Sequence, residues 1–280
     1  MDSTGHVSTG RKPGPTPIVA TICFDGFDDH DFVDTFAFAP ELGIAGIEFN
    51  CWYPRTLTAS NLRGLVSRSA DAGLEPATLQ VITPAPSLDF GGESGDVARW
   101  LWMLEAASIL GVDTVKSTGP KRVDDPAVLE RLISIFRHVA PAAKELGVRI
   151  AVENHFANVY EFAADYDRLF DDLPSEIGMC LDTGHFAASG VDMHAIIDRF
   201  ASRLLQIDLK DCARPGAADF VPFGEGIVDF DGILDHAVDA GFDGYVVVEY
   251  PRPAGAELSL DILRAGRRLA EDPRRSASGS

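Results

Sequence analysis

Eight short apolar runs, each rich in β-branched residues, punctuate the chain at near-regular intervals: 18–23, 44–49, 74–82, 112–116, 148–153, 177–181, 204–209 and 245–249. Stretches with helical spacing separate them, such as 97–110 and 126–146. Short apolar runs that alternate with helical segments read as parallel strands joined by helical crossovers. Successive strand ends lie about 32 residues apart, the length of one βα unit. Several helical stretches close on a turn glycine, at Leu42-Gly43, Ala72-Gly73, Leu110-Gly111, Leu146-Gly147 and Ala240-Gly241, as expected where a helix ends in a left-handed turn. An open dinucleotide-type sheet would carry fewer strands and a glycine-rich first turn, and Cys23-Phe24-Asp25-Gly26-Phe27 has no such pattern. The chain is therefore expected to be α/β, a single (β/α)8 TIM barrel over residues 17–270. Pro141 should kink the 126–146 helix or start a second helical segment.

With 280 residues the chain can bury a core without disulfides or a structural metal. Residues 1–16 and 271–280 are nearly devoid of apolar side chains and are read as disordered tails. Lys and Arg number 24 against 43 Asp and Glu, a net charge of −19. Nucleic acid and anionic membrane surfaces both recruit clustered cations, so neither is expected as a partner. A small neutral or metal-linked molecule fits better. No apolar run approaches the ~18 residues of a membrane span and no leader-like segment opens the chain, so a cytoplasmic location is expected. Cys23, Cys51, Cys180 and Cys212 are widely spread and read as small hydrophobes.

In such a barrel, chemistry collects at the C-terminal ends of the strands. Glu48 closes the second run and Lys116 the fourth. Glu153-Asn154-His155 follow the fifth, and Asp182-Thr183-Gly184-His185 the sixth. The seventh carries Gln206, Asp208 and Lys210, and Glu249 closes the eighth. Four carboxylates on consecutive strands, Glu153, Asp182, Asp208 and Glu249, would converge and repel one another. One divalent metal relieves that repulsion, and an all-oxygen donor set favours Mn²⁺ or Mg²⁺. A competing reading lets Lys116 and Lys210 neutralise two of the four, which leaves the other two unmatched. His138, His194 and His236 fall on helices and receive no role, and Trp100 and Trp102 read as packing. Glu161, Asp165, Asp167, Asp171 and Asp172 read as a solvated helix face.

Taken together, Ala151-Val152-Glu153-Asn154-His155, Cys180-Leu181-Asp182-Thr183-Gly184-His185, Leu209-Lys210-Asp211, Pro222-Phe223-Gly224-Glu225-Gly226 and Val247-Val248-Glu249 resemble the sugar phosphate isomerase/epimerase superfamily of xylose isomerase-like barrels. The resemblance covers about residues 17–270. It implies one divalent metal on Glu153, Asp182, the position of Asp208, and Glu249. At one place the chain departs from the pattern: the usual His-x-Lys-Asp reads Asp208-Leu209-Lys210-Asp211. Alternation still puts Gln206, Asp208 and Lys210 on one face. The resemblance further implies substrate contacts by His185 and by Arg214, a small sugar or polyol as partner, and a homo-oligomer or partner subunit. DNA-repair endonucleases share the barrel, but their histidine-rich zinc site is not matched here.

The first functional reading is an isomerase or epimerase acting on a keto sugar or polyol through a metal-stabilised enediolate. Glu153 and Glu249 would exchange the proton as in related epimerases, with His155 assisting as base and His185, Lys116, Lys210, Arg214 and Glu48 facing the substrate. A second reading keeps the site but ends in elimination, making a lyase: an inosose or dehydroshikimate dehydratase, or a 3-keto C-glycoside deglycosidase. The third is a metal-free barrel that binds a sugar or a partner. An unphosphorylated substrate is preferred, because no glycine-rich anion-binding turn is present.

Overall fold

The computed structural model describes residues 14–271, apart from 28–30, 54, 84 and 90. Barrel strands are β1 (Thr16–Ala20), β2 (Gly46–Cys51), β3 (Glu75–Ile82), β4 (Thr114–Thr118), β5 (Arg149–Glu153), β6 (Ile177–Asp182) and β7 (Leu204–Leu209). A short antiparallel pair, β8 (Asp211–Cys212) and β9 (Phe220–Val221), precedes the last barrel strand, β10 (Tyr245–Val248). The barrel closes by parallel pairing in the order β1-β10-β7-β6-β5-β4-β3-β2. This is the expected (β/α)8 architecture.

Side-chain alternation divides each strand between two environments. Ile47, Phe49, Leu79, Val115, Ile150, Met179, Ile207 and Val248 join helix residues such as Leu104, Phe136, Ile196 and Leu234 in one buried cluster. That layer between strands and helices is the main core. The lumen is polar instead: Glu48, Asn50, Thr78, Gln80, Lys116, Gln206 and Asp208 are all buried there. Bonds such as Gln206 to Glu48 span it. Such groups are paired where they can be, because a buried unpaired polar group is costly, although among the described residues Gln206 Oε1 has no partner.

Several local expectations change. The first strand ends at Ala20, and Ile22–Asp25 form a helical turn in place of continued strand. Asn50 Oδ1 accepts from both the Thr21 hydroxyl and the Ile22 N–H, which turns the chain there. The helix Pro126–Leu146 runs through Pro141 as one element, with Gly147 at φ 67° closing it. Glu161 and Asp165 are not a solvated face. Asp165 accepts from the Glu161 and Phe162 N–H groups, and Glu161 accepts from Ala157 N–H and Ser189. Trp100 packs on Phe136, whereas Trp102 is substantially exposed. The expected tails fall mostly at 1–13 and 272–280, outside the described residues, while Thr16 already belongs to β1. Among the described residues, no helix is long and apolar enough to cross a membrane.

Candidate active site

At the C-terminal mouth of the barrel lies a cavity of about 630 Å³. Gln80, Glu153, His155, His185, Lys210 and Glu249 give its lining polar groups, and Phe27, Trp52, Phe220 and Tyr250 aromatic ones. Short-range sequence accounts for how the polar groups are placed. Asp182 ends β6 and caps the helix Thr183–Ser189, its Oδ1 accepting from His185 N–H at 2.8 Å. Thr183 Oγ1 accepts from Lys210 N–H at 2.9 Å and donates to the Asp208 and Lys210 carbonyls, fixing the end of β7. Asn154 ties β5 to β6, donating to Asp182 O at 3.0 Å and accepting from Asp182 N–H at 2.7 Å.

Glu153, Asp182, Asp208 and Glu249 offer oxygens that all lie within 4.8 Å of one another, a convergence that could hold a divalent ion. Two buried ammonium groups already lie among them. Lys116 Nζ reaches Glu48 Oε1 at 2.7 Å, Glu249 Oε2 at 2.9 Å, and Asp208 Oδ2. Lys210 Nζ reaches Asp182 Oδ2 at 2.6 Å and Glu249 Oε1 at 2.8 Å. Gln206 Nε2 donates to the other Asp208 oxygen at 2.7 Å, and Gln80 Nε2 to Glu153 Oε2 at 3.1 Å. Every oxygen of Asp182, Asp208 and Glu249 thus accepts a bond from this chain. In this arrangement, a divalent cation would have to displace an ammonium group from its carboxylates to bind all four.

The electrostatics follow from burial and pairing. Burial disfavours the charged forms of Lys116 and Lys210, but the surrounding carboxylates outweigh it and hold both above the ordinary lysine range. Burial alone would raise Glu249; Lys116 and Lys210 hold it well below the usual carboxylate range. Glu153 moves the other way. Burial, with Glu249 and Asp182 nearby, pushes it up to about 8.

His155 and His185 stack with ring centroids 3.6 Å apart, and burial lowers both pKa values, His185 well below 6.5. The Phe156 peptide sorts their tautomers. Its N–H donates to His185 Nδ1 at 3.2 Å, leaving Nε2–H as that ring's donor. Its carbonyl lies 3.1 Å from His155 Nδ1 and can only accept, leaving Nε2 of His155 as a lone-pair base. The cavity therefore offers a base, a neutral donor, a protonatable carboxyl and a fixed ammonium.

From sequence, Glu153, His155, His185, Lys210 and Glu249 are expected at the reacting centre, and all five line the cavity. Lys116 and Glu48, expected at the substrate, are fully buried beneath it and bonded to each other. Arg214 is exposed and is not among the lining residues. Gln80, Trp52, Phe220, Tyr250 and Arg252 line the cavity without having been singled out. Gln80 was legible from its place near the end of the third run, while the aromatic residues come from segments without a motif, Phe220 from the two-residue strand β9.

Known proteins resemble the chain in sequence and in fold. An inosose dehydratase of Lacticaseibacillus casei is 28% identical over 158 residues, covering 50% of this chain and 53% of that protein. The chain thus spans about half the length of the curated relatives it matches. The IOLI protein with a binding zinc atom superposes with a TM-score of 0.74 at 17% identity, covering 91% of this chain and 96% of that one. The probable 3-DHS dehydratase AsbF from Bacillus anthracis gives 0.71 at 17% identity, covering 91% and 98%. At those identities the likeness is one of fold. The sequence profile of xylose isomerase-like TIM barrels matches residues 36–266, most of the barrel and all of the cavity's polar residues, and the chain belongs to that family.

Proposed function

We propose that the chain is a lyase, a dehydratase acting on a small cyclic polyhydroxy ketone of the inosose class. The observation that carries this reading is the match to curated inosose dehydratases across half of the chain. The cavity supports it: its lining combines aromatic rings, suited to the C–H face of a ring, with an acid, a base and an ammonium group.

In this reading Lys210 binds the ketone oxygen. Two of its three N–H donors are held by Asp182 and Glu249, which leaves one for the substrate. His155 Nε2 takes the proton next to the carbonyl, and the negative charge develops on the oxygen facing Lys210. The C–O bond to the β-hydroxyl then breaks, and Glu153, protonated below about pH 8, gives its proton so that water leaves. His185 Nε2–H holds a second hydroxyl. The products are one water and a conjugated enone.

Glu249 supports elimination over epimerisation. Two-carboxylate proton exchange needs a free base on each face, whereas both Glu249 oxygens are held by ammonium groups and its pKa lies well below the ordinary value. Incubation with inosose should give a product lighter by one water with new ultraviolet absorbance. Glu153→Gln should lower kcat by roughly 10²–10⁴-fold. A product of unchanged mass would contradict the proposal.

A further inference from the structure

We infer that the cation of this site is the chain's own Lys116: its ammonium group holds Asp208 and Glu249, two of the four carboxylates that converge as a divalent ion would require, together with Glu48, and the folded protein holds no metal there. This concerns the cation and stands whether or not the dehydratase reading is correct.

Geometry carries it. Lys116 leaves β4 fully buried and ends on three carboxylates from β2, β7 and the end of β10. An ammonium has three N–H donors, and each finds an acceptor. An ion bonded to Glu249 Oε2 and Asp208 Oδ2 would compete with the Lys116 ammonium for both oxygens. Glu249 Oε1 and Asp182 Oδ2 are held in the same way by Lys210, while Glu153, the fourth of these carboxylates, accepts from Gln80.

The residue types agree with this geometry. A neutral imidazole at position 208 would suit a metal and would offer a lysine no charge. Aspartate can serve either cation, and here one oxygen takes the Lys116 ammonium while the other is held by the Gln206 amide, a donor that cannot ligate through the nitrogen it points there. The aspartate of β7 and the lysine of β4 are thus complementary to each other, and the pair is wholly buried. Lys116 does not line the cavity, so its role is to position Glu249 and, through Glu249, Lys210.

The test is metal stoichiometry in the intact chain. Wild-type protein is dialysed against Mn²⁺ or Zn²⁺, freed of unbound ion, and analysed for bound metal, with Mn²⁺ titration followed by electron paramagnetic resonance. Far less than one ion per chain is expected, along with a thermal midpoint that neither EDTA nor the ions shift. One tightly bound ion per chain would overturn the inference. The double variant K116M/D208H removes the ammonium and supplies a neutral ligand; folded, it should take up one ion per chain and gain a metal-dependent thermal midpoint. A folded double variant that binds no ion would also count against it. If the variant does not fold, the wild-type stoichiometry still decides.

Discussion

Glu249 accepts from two lysines at once, so neither lysine can be removed without leaving buried charge unmatched. Lys116→Met strands Glu48, Asp208 and Glu249 together. It should cost about 3–5 kcal/mol, seen as a lower urea midpoint at unchanged slope. Lys210→Met removes the group facing the developing charge and should lower kcat by roughly 10²–10³-fold. Glu153 gives a pH dependence of definite sign. Its folded pKa of about 8 lies above the ordinary 4.5, so the folded state binds its proton more tightly than the unfolded chain does. Its contribution to stability is therefore full at low pH and is lost as pH rises from about 4.5 through about 8. Urea titrations across that range should show the loss in wild type, and Glu153→Gln should flatten it. On the proposed chemistry, kcat should fall on the alkaline side near pH 8, and the fall on the acid side, where His155 becomes protonated, should begin below pH 6.5.

Among the elements, the segment after β7 shows most clearly how motif and geometry connect. Asp211 is fully buried, and its carboxylate accepts from the N–H groups of Gly224 at 2.8 Å, Gly226 at 3.0 Å and Cys212 at 2.9 Å. The aspartate of Leu209-Lys210-Asp211 therefore organises the Pro222–Gly226 loop beside the cavity. Asp211→Ala should raise KM more than it lowers kcat and cost about 1–3 kcal/mol, measured by steady-state kinetics and urea unfolding. Gly184 has a related duty, since a Cβ there would come 2.7 Å from Lys210 Cγ. The strand spacing, the helix-closing glycines and the strand-end carboxylates were legible in the sequence because each is a local or periodic signal. The β8–β9 pair was not, since two-residue strands have no period to read. Nor was the depth of Glu48 and Lys116. That depends on how far along each strand the lumen closes, which register across the barrel decides. Arg214 was placed by the family resemblance, and the connection between β8 and β9 carries it to the surface.

At the scale of the molecule, an apolar shell encloses a polar lumen, and the lumen feeds charge to the cavity above it. Among the described residues, the buried cations facing Glu48, Glu153, Asp182, Asp208 and Glu249 are Lys116 and Lys210, so the lumen keeps an excess of acid that burial relieves by holding protons, as on Glu153. Both the proposed elimination, with Lys210 at the carbonyl and protonated Glu153 at the leaving hydroxyl, and the placement of Lys116 depend on the ammonium groups lying between these carboxylates. The most direct measurement is an anomalous difference map, recorded at the zinc edge, from crystals of the wild-type protein grown with Zn²⁺. The account predicts no peak among Glu153, Asp182, Asp208 and Glu249, with continuous density from Lys116 and Lys210 to their carboxylates. A strong peak there, with either lysine turned away, would contradict it.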